Sequence, residues 1–561
     1  MHKVLNNPFI LRHIFDQWEP ADVKPCCYNS ALALSGPVPP SDLEKLQTFG
    51  RRVRVYHTSE TEEQIDPSVY IIISGALKGN PLFPNLQSIH FYIRHTHPAC
   101  HAASLIMLFS PSLRDARLTP IYPRGHFNFS FFIQRLVDAP QMTDLSVEYH
   151  AFCQKQLDAV LSLKNLTSLA FDMVHTLDYP YVAFNRTVLA SLAKLERLQS
   201  LAITLSPADW VTRDPDSEEN ELSVFPNLTT LKLNCLFEDA YRFLTLAKLP
   251  SLKRLVHNFR FTSESEPTKL PDLPWNGLLG ALKASTTSEL TSLEVNPAFG
   301  FRRDNRAREL LWLKIETGEG LSFAEIADNL LQLNLTSLKF DFPLFRSLSE
   351  ADFAAMGHAW PTLTSLYVRV ISKRAPTPNT TILKLIKDTF PHLSQLGIDI
   401  EAGYIDEPCM TTSSANPLRS IEARLFNWEE TWTAKFAALV DSLFPQLDSF
   451  SHWINTCFHD VKTNPAVHNR VLELQQARRR ERNWIRSEYR MPELVQAKDE
   501  DEVVYASTSN DTSHNDSGLT ILGLDVDESV VSSEDPEEGG FIAYPTYESD
   551  DDDSESDYSQ H

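Results

Sequence analysis

Glycine is scarce in this chain, with 17 among 561 residues. None of them builds a glycine-rich loop of the kind that cradles phosphates, so P-loop or dinucleotide chemistry has no support. Long apolar runs are missing too. Tyr70-Ile71-Ile72-Ile73 falls far short of the ~20 residues that span a bilayer and reads as the core of a helix or strand. Met1-His2-Lys3 leads to Asn6-Asn7-Pro8 and not to an apolar stretch, so no secretory leader and no membrane partner are expected. The cysteines number seven: Cys26, Cys27, Cys100, Cys153, Cys235, Cys409 and Cys457. They are scattered, odd in number and mostly set among apolar residues, as free buried thiols of a reducing compartment would be. A cytoplasmic or nuclear protein is expected.

Positive charge is short overall, but not evenly so. The formal net charge is −23, yet residues 493–561 hold 21 acidic residues and one basic residue, Lys498. The preceding 492 residues carry 50 basic and 53 acidic groups and are nearly neutral. A neutral body without a basic stripe argues against sequence-specific nucleic-acid binding.

What the chain has in plenty is one phrase. Phe225-Pro226-Asn227-Leu228-Thr229-Thr230-Leu231-Lys232-Leu233 is echoed by Phe83-Pro84-Asn85-Leu86, by Leu163-Lys164-Asn165-Leu166 and by Trp360-Pro361-Thr362-Leu363. Further copies stand at Phe390-Pro391-His392-Leu393 and Phe444-Pro445-Gln446-Leu447. Aligned on the first apolar residue of L-x-x-L-x-L, thirteen anchors emerge: Leu86, Leu113, Met142, Leu166, Leu198, Leu228, Leu252, Leu290, Leu335, Leu363, Leu393, Leu418 and Leu447. Roughly 24 to 45 residues separate neighbours, a looser period than that of a regular leucine-rich repeat. After each anchor, apolar and polar residues alternate, the period of a short strand with one buried face. Between copies lie segments with helical apolar spacing, such as Gln156–Leu163, Thr187–Leu195 and Ala434–Phe444. One such unit cannot bury its own apolar face, but a stack can. The expected fold is therefore an α/β solenoid with parallel strands on its inner wall. Triplets such as Asn165-Leu166-Thr167 and Asn227-Leu228-Thr229 match the N-glycosylation pattern, but they lie inside the repeat and read as its by-product.

This pattern resembles the leucine-rich-repeat proteins, in the loose form common among fungal F-box proteins, over about residues 82–455. The N-terminus adds to the resemblance. Asn6 or Asn7 can cap a helix and Pro8 suits its first turn. Ile10, Leu11, Ile14 and Phe15 then form an apolar stripe. With Leu5 they match the opening helix of an F-box, roughly L-P-x-E-[IL]-[IL]-x-x-I-F. The resemblance implies that Leu11, Ile14 and Phe15 dock a Skp-type adaptor of a cullin–RING ubiquitin ligase. The match stops early. Cys26 to Leu34 resembles a remnant of the later box, and Gly36-Pro37-Val38-Pro39-Pro40 breaks it. The other reading of residues 5–34 is a cap on the open end of the solenoid. Ser41–Phe49 carries a fresh cap and helical spacing, and leads into the repeats.

The expected layout is a helical N-terminal segment over 1–50, repeats over 51–455, an Arg-rich helix over 456–492 and an acidic tail over 493–561. The helix interleaves Arg470, Arg478, Arg479, Arg480, Arg482, Arg486 and Arg490 with Glu473, Glu481 and Glu488. It reads as an ion-paired helix closing on the last repeat, and secondarily as a nuclear-import or phosphate-binding patch. The tail lacks periodic apolar faces and is expected to be disordered and solubilising. Within it, Val503-Val504-Tyr505 and Leu519–Leu524 lie beside acids, as in strands added to ubiquitin-like modifiers. Ser549, Ser554 and Ser556 neighbour acids and suit acid-directed kinases.

No catalytic constellation has convincing spacing, and no enzyme and no cofactor are expected. His95-Thr96-His97-Pro98-Ala99-Cys100-His101 has no second ligand pair nearby, so no metal is assigned. Recognition remains. The polar residues between the strand leucines should line the inner wall, among them His90, Arg117, Lys232, Asn234, Glu294, Lys339 and Glu422. Aromatics and arginines are the usual anchors, which selects Tyr92, Tyr367, Arg369, Arg424 and Trp453 for binding an unnamed protein target. Two insertions, Asp209–Ser223 and Phe299–Ser322 with its four arginines, could add contacts.

Overall fold

The computed structural model describes residues 38–57, 67–78, 80–93, 109–120, 130–147, 154–171, 186–205, 223–259, 273–286, 289–297, 320–370, 378–401, 417–426, 430–454 and 465–488. The chain divides into two compact units, Met1–Arg490 and Met491–His561, and every described residue belongs to the first. The acidic tail, the F-box-like stretch and the histidine cluster at 95–101 lie outside the described residues.

Fourteen parallel strands stand side by side in chain order. They are β1 Val55–His57, β2 Ser88–Ile93, β3 Asp115–Pro120, β4 Asp144–Val147, β5 Ser168–Phe171, β6 Ser200–Thr204, β8 Thr230–Cys235, β10 Arg254–Phe259, β11 Ser292–Pro297, β12 Ser337–Phe345, β13 Ser365–Val370, β14 Gln395–Glu401, β15 Ser420–Phe426 and β16 Ser449–Ile454. A separate ribbon pairs β7 Ser223–Val224 with β9 Ala247–Lys248. The chain is an α/β leucine-rich-repeat solenoid. Each of the thirteen anchors sits two residues before its strand, and none is more than 2% exposed. The repeats begin one unit earlier than the leucine pattern shows. The extra strand, β1, is preceded by the half-buried Val53 where the other units place a leucine or methionine.

The repeat phrase is a set of hydrogen-bond positions. At the start of each strand, one carbonyl of the preceding unit receives two successive backbone N–H groups. The carbonyl of Gln199 accepts from Thr229 and Thr230, and that of Thr336 accepts from Thr364 and Ser365. Where the first of the two is Thr or Ser, its hydroxyl donates to the same oxygen. Thr167 Oγ1 reaches Thr143 O at 3.1 Å, Thr364 Oγ1 reaches Thr336 O at 2.9 Å and Ser394 Oγ reaches Thr364 O at 2.9 Å. The asparagine before the anchor does similar work one turn earlier. Asn85, Asn165 and Asn227 each donate through Nδ2 to a carbonyl of the previous unit, at 2.8, 2.8 and 2.7 Å. In Asn165-Leu166-Thr167 and Asn227-Leu228-Thr229, both polar side chains are therefore occupied by the stack. This is why the glycosylation pattern recurs here.

The residue opening the phrase closes the core. Phe83, Phe225, Phe390 and Phe444 are buried, and Trp360 takes the same place with its indole Nε1 donating to Leu333 O at 2.7 Å. Helices cover one side of the sheet: among them Gln154–Leu161, Arg186–Ala193, Phe237–Leu246, Trp275–Ser285, Glu350–Ala359, Thr381–Thr389 and Thr433–Leu443. The helix expected to begin at a serine cap spans Pro40–Gly50. Its cap residue is Pro39, with no capping side chain, because the proline at its first turn already fixes the backbone. Tyr70–Ile73 falls in the helix Pro67–Leu77, with Ile73 buried.

One strand breaks the leucine rule. His257 in β10 takes the core-facing place that Leu233 and Val295 hold on either side. It is 1% exposed, lies between Phe237 and Phe259, and has Cys235 Sγ 3.8 Å from Nε2. Its Nδ1 has no hydrogen-bond partner. Burial holds the imidazole neutral, with its pKa lowered to about 4. Cys235 is a buried cysteine in no disulfide; the other six lie outside the described residues.

At the far end, the helix Pro465–Glu488 packs on Thr433–Leu443 and on β16, burying Val471 and Gln475. Arg478 pairs with the nearly buried carboxylate of Asp441 and donates to its carbonyl at 3.2 Å. The arginine-rich run thus contributes a structural clamp, while Arg480 and Glu481 stay exposed.

Two measurements test this account. Trp360→Phe keeps the ring but strips Leu333 O of its donor, so the urea midpoint should fall by an amount worth ~1–2 kcal/mol with an unchanged slope. Below pH 6.5 the unfolded chain protonates the residue-257 imidazole while the folded chain does not. The stability it contributes is whole above pH 6.5, falls between pH 6.5 and about 4, and changes no further below that. His257→Leu should flatten that part of the stability–pH curve by on the order of 3 kcal/mol.

Candidate functional site

Among the described residues, helices cover one side of the sheet and leave the other open, and alternation along each strand divides the side chains between the two. On the open side Ser337, Lys339, Tyr367, Glu422 and Arg424 are half-buried, while Leu338, Leu366, Ile421 and Leu425 point into the core. Parallel register aligns the open side into rows. The first row runs Ser88, Asp115, Asp144, Ser168, Ser200, Thr230, Arg254, Ser292, Ser337, Ser365, Gln395, Ser420 and Ser449. The second runs from His57 and His90 through Arg117, Ser146, Ala170, Ala202 and Lys232 to Val256 and Glu294.

Three polar groupings occupy this face. The first surrounds Asp115. Ser88 Oγ donates to it at 2.7 Å, His90 Nε2 lies 3.1 Å away and Arg117 Nε 3.5 Å away. Beside it opens a pocket of about 300 Å³, lined by Asp115, Arg117, Asp144, Ser146, Ser168 and Ala170 among others. Its floor is low because the second row carries Ser146 and Ala170 where its neighbour carries Arg117.

The second grouping is an amide ladder. Asn234 Nδ2 donates to Thr204 Oγ1 at 3.4 Å, Asn258 to Asn234 Oδ1 at 2.6 Å and Asn296 to Asn258 Oδ1 at 3.2 Å. Asn296 also donates to Glu294 at 3.1 Å, and Arg254 and Lys339 pair with the same carboxylate at 3.0 and 3.3 Å. Burial raises the pKa of Glu294, but the hydrogen bonds from Asn296 and Arg254 and the charge of Lys339 outweigh it, and the net shift is downward. Lys339 then lies over the Tyr367 ring, 5.8 Å from its centroid. Tyr367 in turn lies across Gly397, where a Cβ would come within 2.1 Å of its Cδ1. That position needs glycine for the close approach of the ring.

The third grouping centres on Asp399, whose side chain is fully buried. Arg369 Nη1 donates to Oδ1 at 3.2 Å, Arg424 Nε to Oδ1 at 3.2 Å, Arg424 Nη2 to Oδ2 at 2.5 Å and the Val370 amide to Oδ2 at 2.8 Å. Arg369 also pairs with Glu422, and Arg424 donates to Val370 O at 2.9 Å. Two of the five expected anchors are thereby turned inward: Arg369 is 7% exposed, and both guanidiniums hold the wall together. Tyr367 is half-buried between Lys339 and Gly397. Tyr92 and Trp453 occupy strand positions on the open side, and their side chains lie outside the described residues, as do the side chains of Leu11, Ile14 and Phe15. Most of the insertion 299–322 lies outside them as well.

Sequence reasoning missed Asp399, Gly397 and the pairing of Asp115 with His90. The asparagine ladder had a visible signal, since Asn234, Asn258 and Asn296 stand at one place in three successive units. Among the described residues, no group of three or more His, Cys, Asp or Glu could hold a metal ion, and no helix is long and apolar enough to cross a membrane.

No family model matches the chain, and no curated protein matches it. Similar solved structures include an internalin from Listeria monocytogenes, at 13% identity over 72% of this chain and 93% of that one, with a TM-score of 0.29. The leucine-rich-repeat-containing protein LegL7 from Legionella pneumophila is 13% identical over 75% of this chain and 98% of its own, with a TM-score of 0.28. TLR13, in its complex with ssRNA13, is 13% identical over 78% of this chain and 59% of its own, with a TM-score of 0.29. The assignment of the fold rests on this chain's own strand order and anchors.

Asp399→Ala takes the shared carboxylate from both guanidiniums, leaving Arg369 with Glu422 and the Arg424 charge without that carboxylate. It should cost ~3–5 kcal/mol, read as a loss of thermal stability that neither Arg369→Met nor Arg424→Met alone reproduces in full.

Proposed function

We propose that this chain is a non-enzymatic recognition protein whose open sheet face binds a protein target. One observation carries the proposal: a face of fourteen strands, covered by no helix among the described residues, carries mostly polar side chains held in register. Preorganised polar side chains on a rigid sheet lose little freedom on binding. Tyr92, Tyr367 and Trp453 remain the aromatic candidates for contact, with Arg369 and Arg424 acting from within the wall.

The finer proposal is an F-box-like substrate receptor. Leu11, Ile14 and Phe15 would dock a Skp-type adaptor, and the repeats would present a target to a cullin–RING ubiquitin ligase. Such a protein supplies proximity and orientation and performs no chemistry. Its support is the sequence match of Leu5, Ile10, Leu11, Ile14 and Phe15 standing ahead of the repeats. The break at Gly36–Pro40 favours the second reading, a binding scaffold whose N-terminus caps the first repeat.

A pull-down of the full chain with purified Skp-type adaptor separates them. Capture that is lost in the Leu11→Asp, Ile14→Asp, Phe15→Asp variant supports the receptor. An intact chain that captures no adaptor leaves the scaffold.

A further inference from the structure

We infer that the partner of the open face is an extended acidic segment, seated across β3 to β10 between Arg117, Lys232 and Arg254. The inference rests on the proposal that this face is the binding surface, and it adds the chemistry of what binds.

Charge on the face is sorted by depth. At the described open-face positions of the strands, the charged residues that rank as exposed are Arg117, Lys232 and Arg254, all cationic. The carboxylates lie lower. The Asp115 side chain is 23% exposed beneath Arg117 at 60%, and that of Glu294 is 18% exposed beneath Arg254 at 54%. Asp144 is half-buried and accepts from the Thr143 hydroxyl at 2.7 Å. Lys232 makes no ion pair among the described residues. A nearly neutral face therefore presents positive charge at its outermost layer.

The floor fits an extended occupant. Between Arg117 and Lys232 the second row holds Ser146, Ala170 and Ala202. Lys232 stands four strands from Arg117, or roughly 19 Å at the usual strand spacing. A bulky element would lose contact with that low floor. An extended chain with small or hydroxyl side chains between its acids can lie along it and enter the pocket beside Arg117.

The test uses the full-length chain and two fluorescein-labelled Gly/Ser peptides, one with glutamates spaced along it and the other with lysines in their place. Fluorescence anisotropy should show the glutamate peptide bound more tightly, with affinity falling steeply as salt rises. Arg117→Glu with Lys232→Glu should weaken it at least on the order of ten-fold, because like charges then meet. Ala170→Trp, which fills the floor without changing charge, should weaken it as well. Equal or tighter binding of the lysine peptide, still sensitive to Ala170→Trp, would overturn the acidic partner and leave the face as the binding surface. No binding of either peptide, or binding that ignores all three substitutions, would overturn the acidic segment and remove support from the face itself. Urea unfolding of each variant separates lost binding from lost fold.

Discussion

Everything in this protein hangs on one carbonyl per unit. At the start of each strand, a single oxygen takes two backbone N–H groups from the next unit and, where the residue allows, a hydroxyl as well. A carbonyl has two lone pairs, so the two N–H groups already saturate it. This junction fixes register, because a slip of one residue would put the anchor leucine on the open side. It also makes the stack one-dimensional, with each unit held by its neighbours. The Asn and Thr of the phrase are selected for reaching that seam, which is a structural demand and not a surface preference.

Fixed register turns the open side into rows, and rows make neighbours of residues far apart in sequence. Arg254 meets Glu294, and Arg369 meets Asp399 and Glu422. Burial disfavours a charged carboxylate in such rows, but at Glu294 the hydrogen bond from Asn296, joined by the cations Arg254 and Lys339 on the flanking strands, outweighs it and shifts the group downward. In the buried cluster around Asp399, attraction must offset desolvation, so such a site stabilises little beyond what an apolar replacement would. Its service is to hold β13, β14 and β15 in one arrangement. Long cations then have two distinct employments. Arg369 and Arg424 are consumed by the wall, whereas Arg117 and Arg254 reach past their carboxylates to solvent and Lys232 is exposed.

The solenoid was legible because its signal is repeated and local. Thirteen anchors could be read from leucine spacing alone, and all are buried ahead of strands. β1 escaped because Val53 replaces the leucine. Side-chain roles on the open side were far less legible. Arg369, Arg424, Tyr367 and Lys232 all look like exposed polar residues between leucines. Only the register shows that Asp399 stands beside both arginines and that Gly397 leaves room for Tyr367. Which of two arginines binds outward is decided by the neighbouring strand, some thirty residues away in sequence. Nothing within a single repeat carries that information.

The departures from the repeat rule form a series, each explained by the one before. Asn296 and Arg254 fix Glu294; Glu294 fixes Lys339; Lys339 lies over Tyr367; Tyr367 requires glycine at 397. In the core beneath, His257 replaces a leucine, and a group of aromatic rings, including Phe237, Trp275, Phe340 and Phe342, fills the space around it. A sequence selected for stacking alone would place leucine, not a histidine with an unpartnered nitrogen, at that position. Such breaks are tolerated where something other than stability is being selected, or where neighbours have adjusted to them. On the open side the adjustment is visible link by link, and it yields a preorganised polar wall from β10 to β14. In the core it is visible only as aromatic packing, which keeps the imidazole dry and neutral, at the cost of stability lost as pH falls from 6.5 toward about 4.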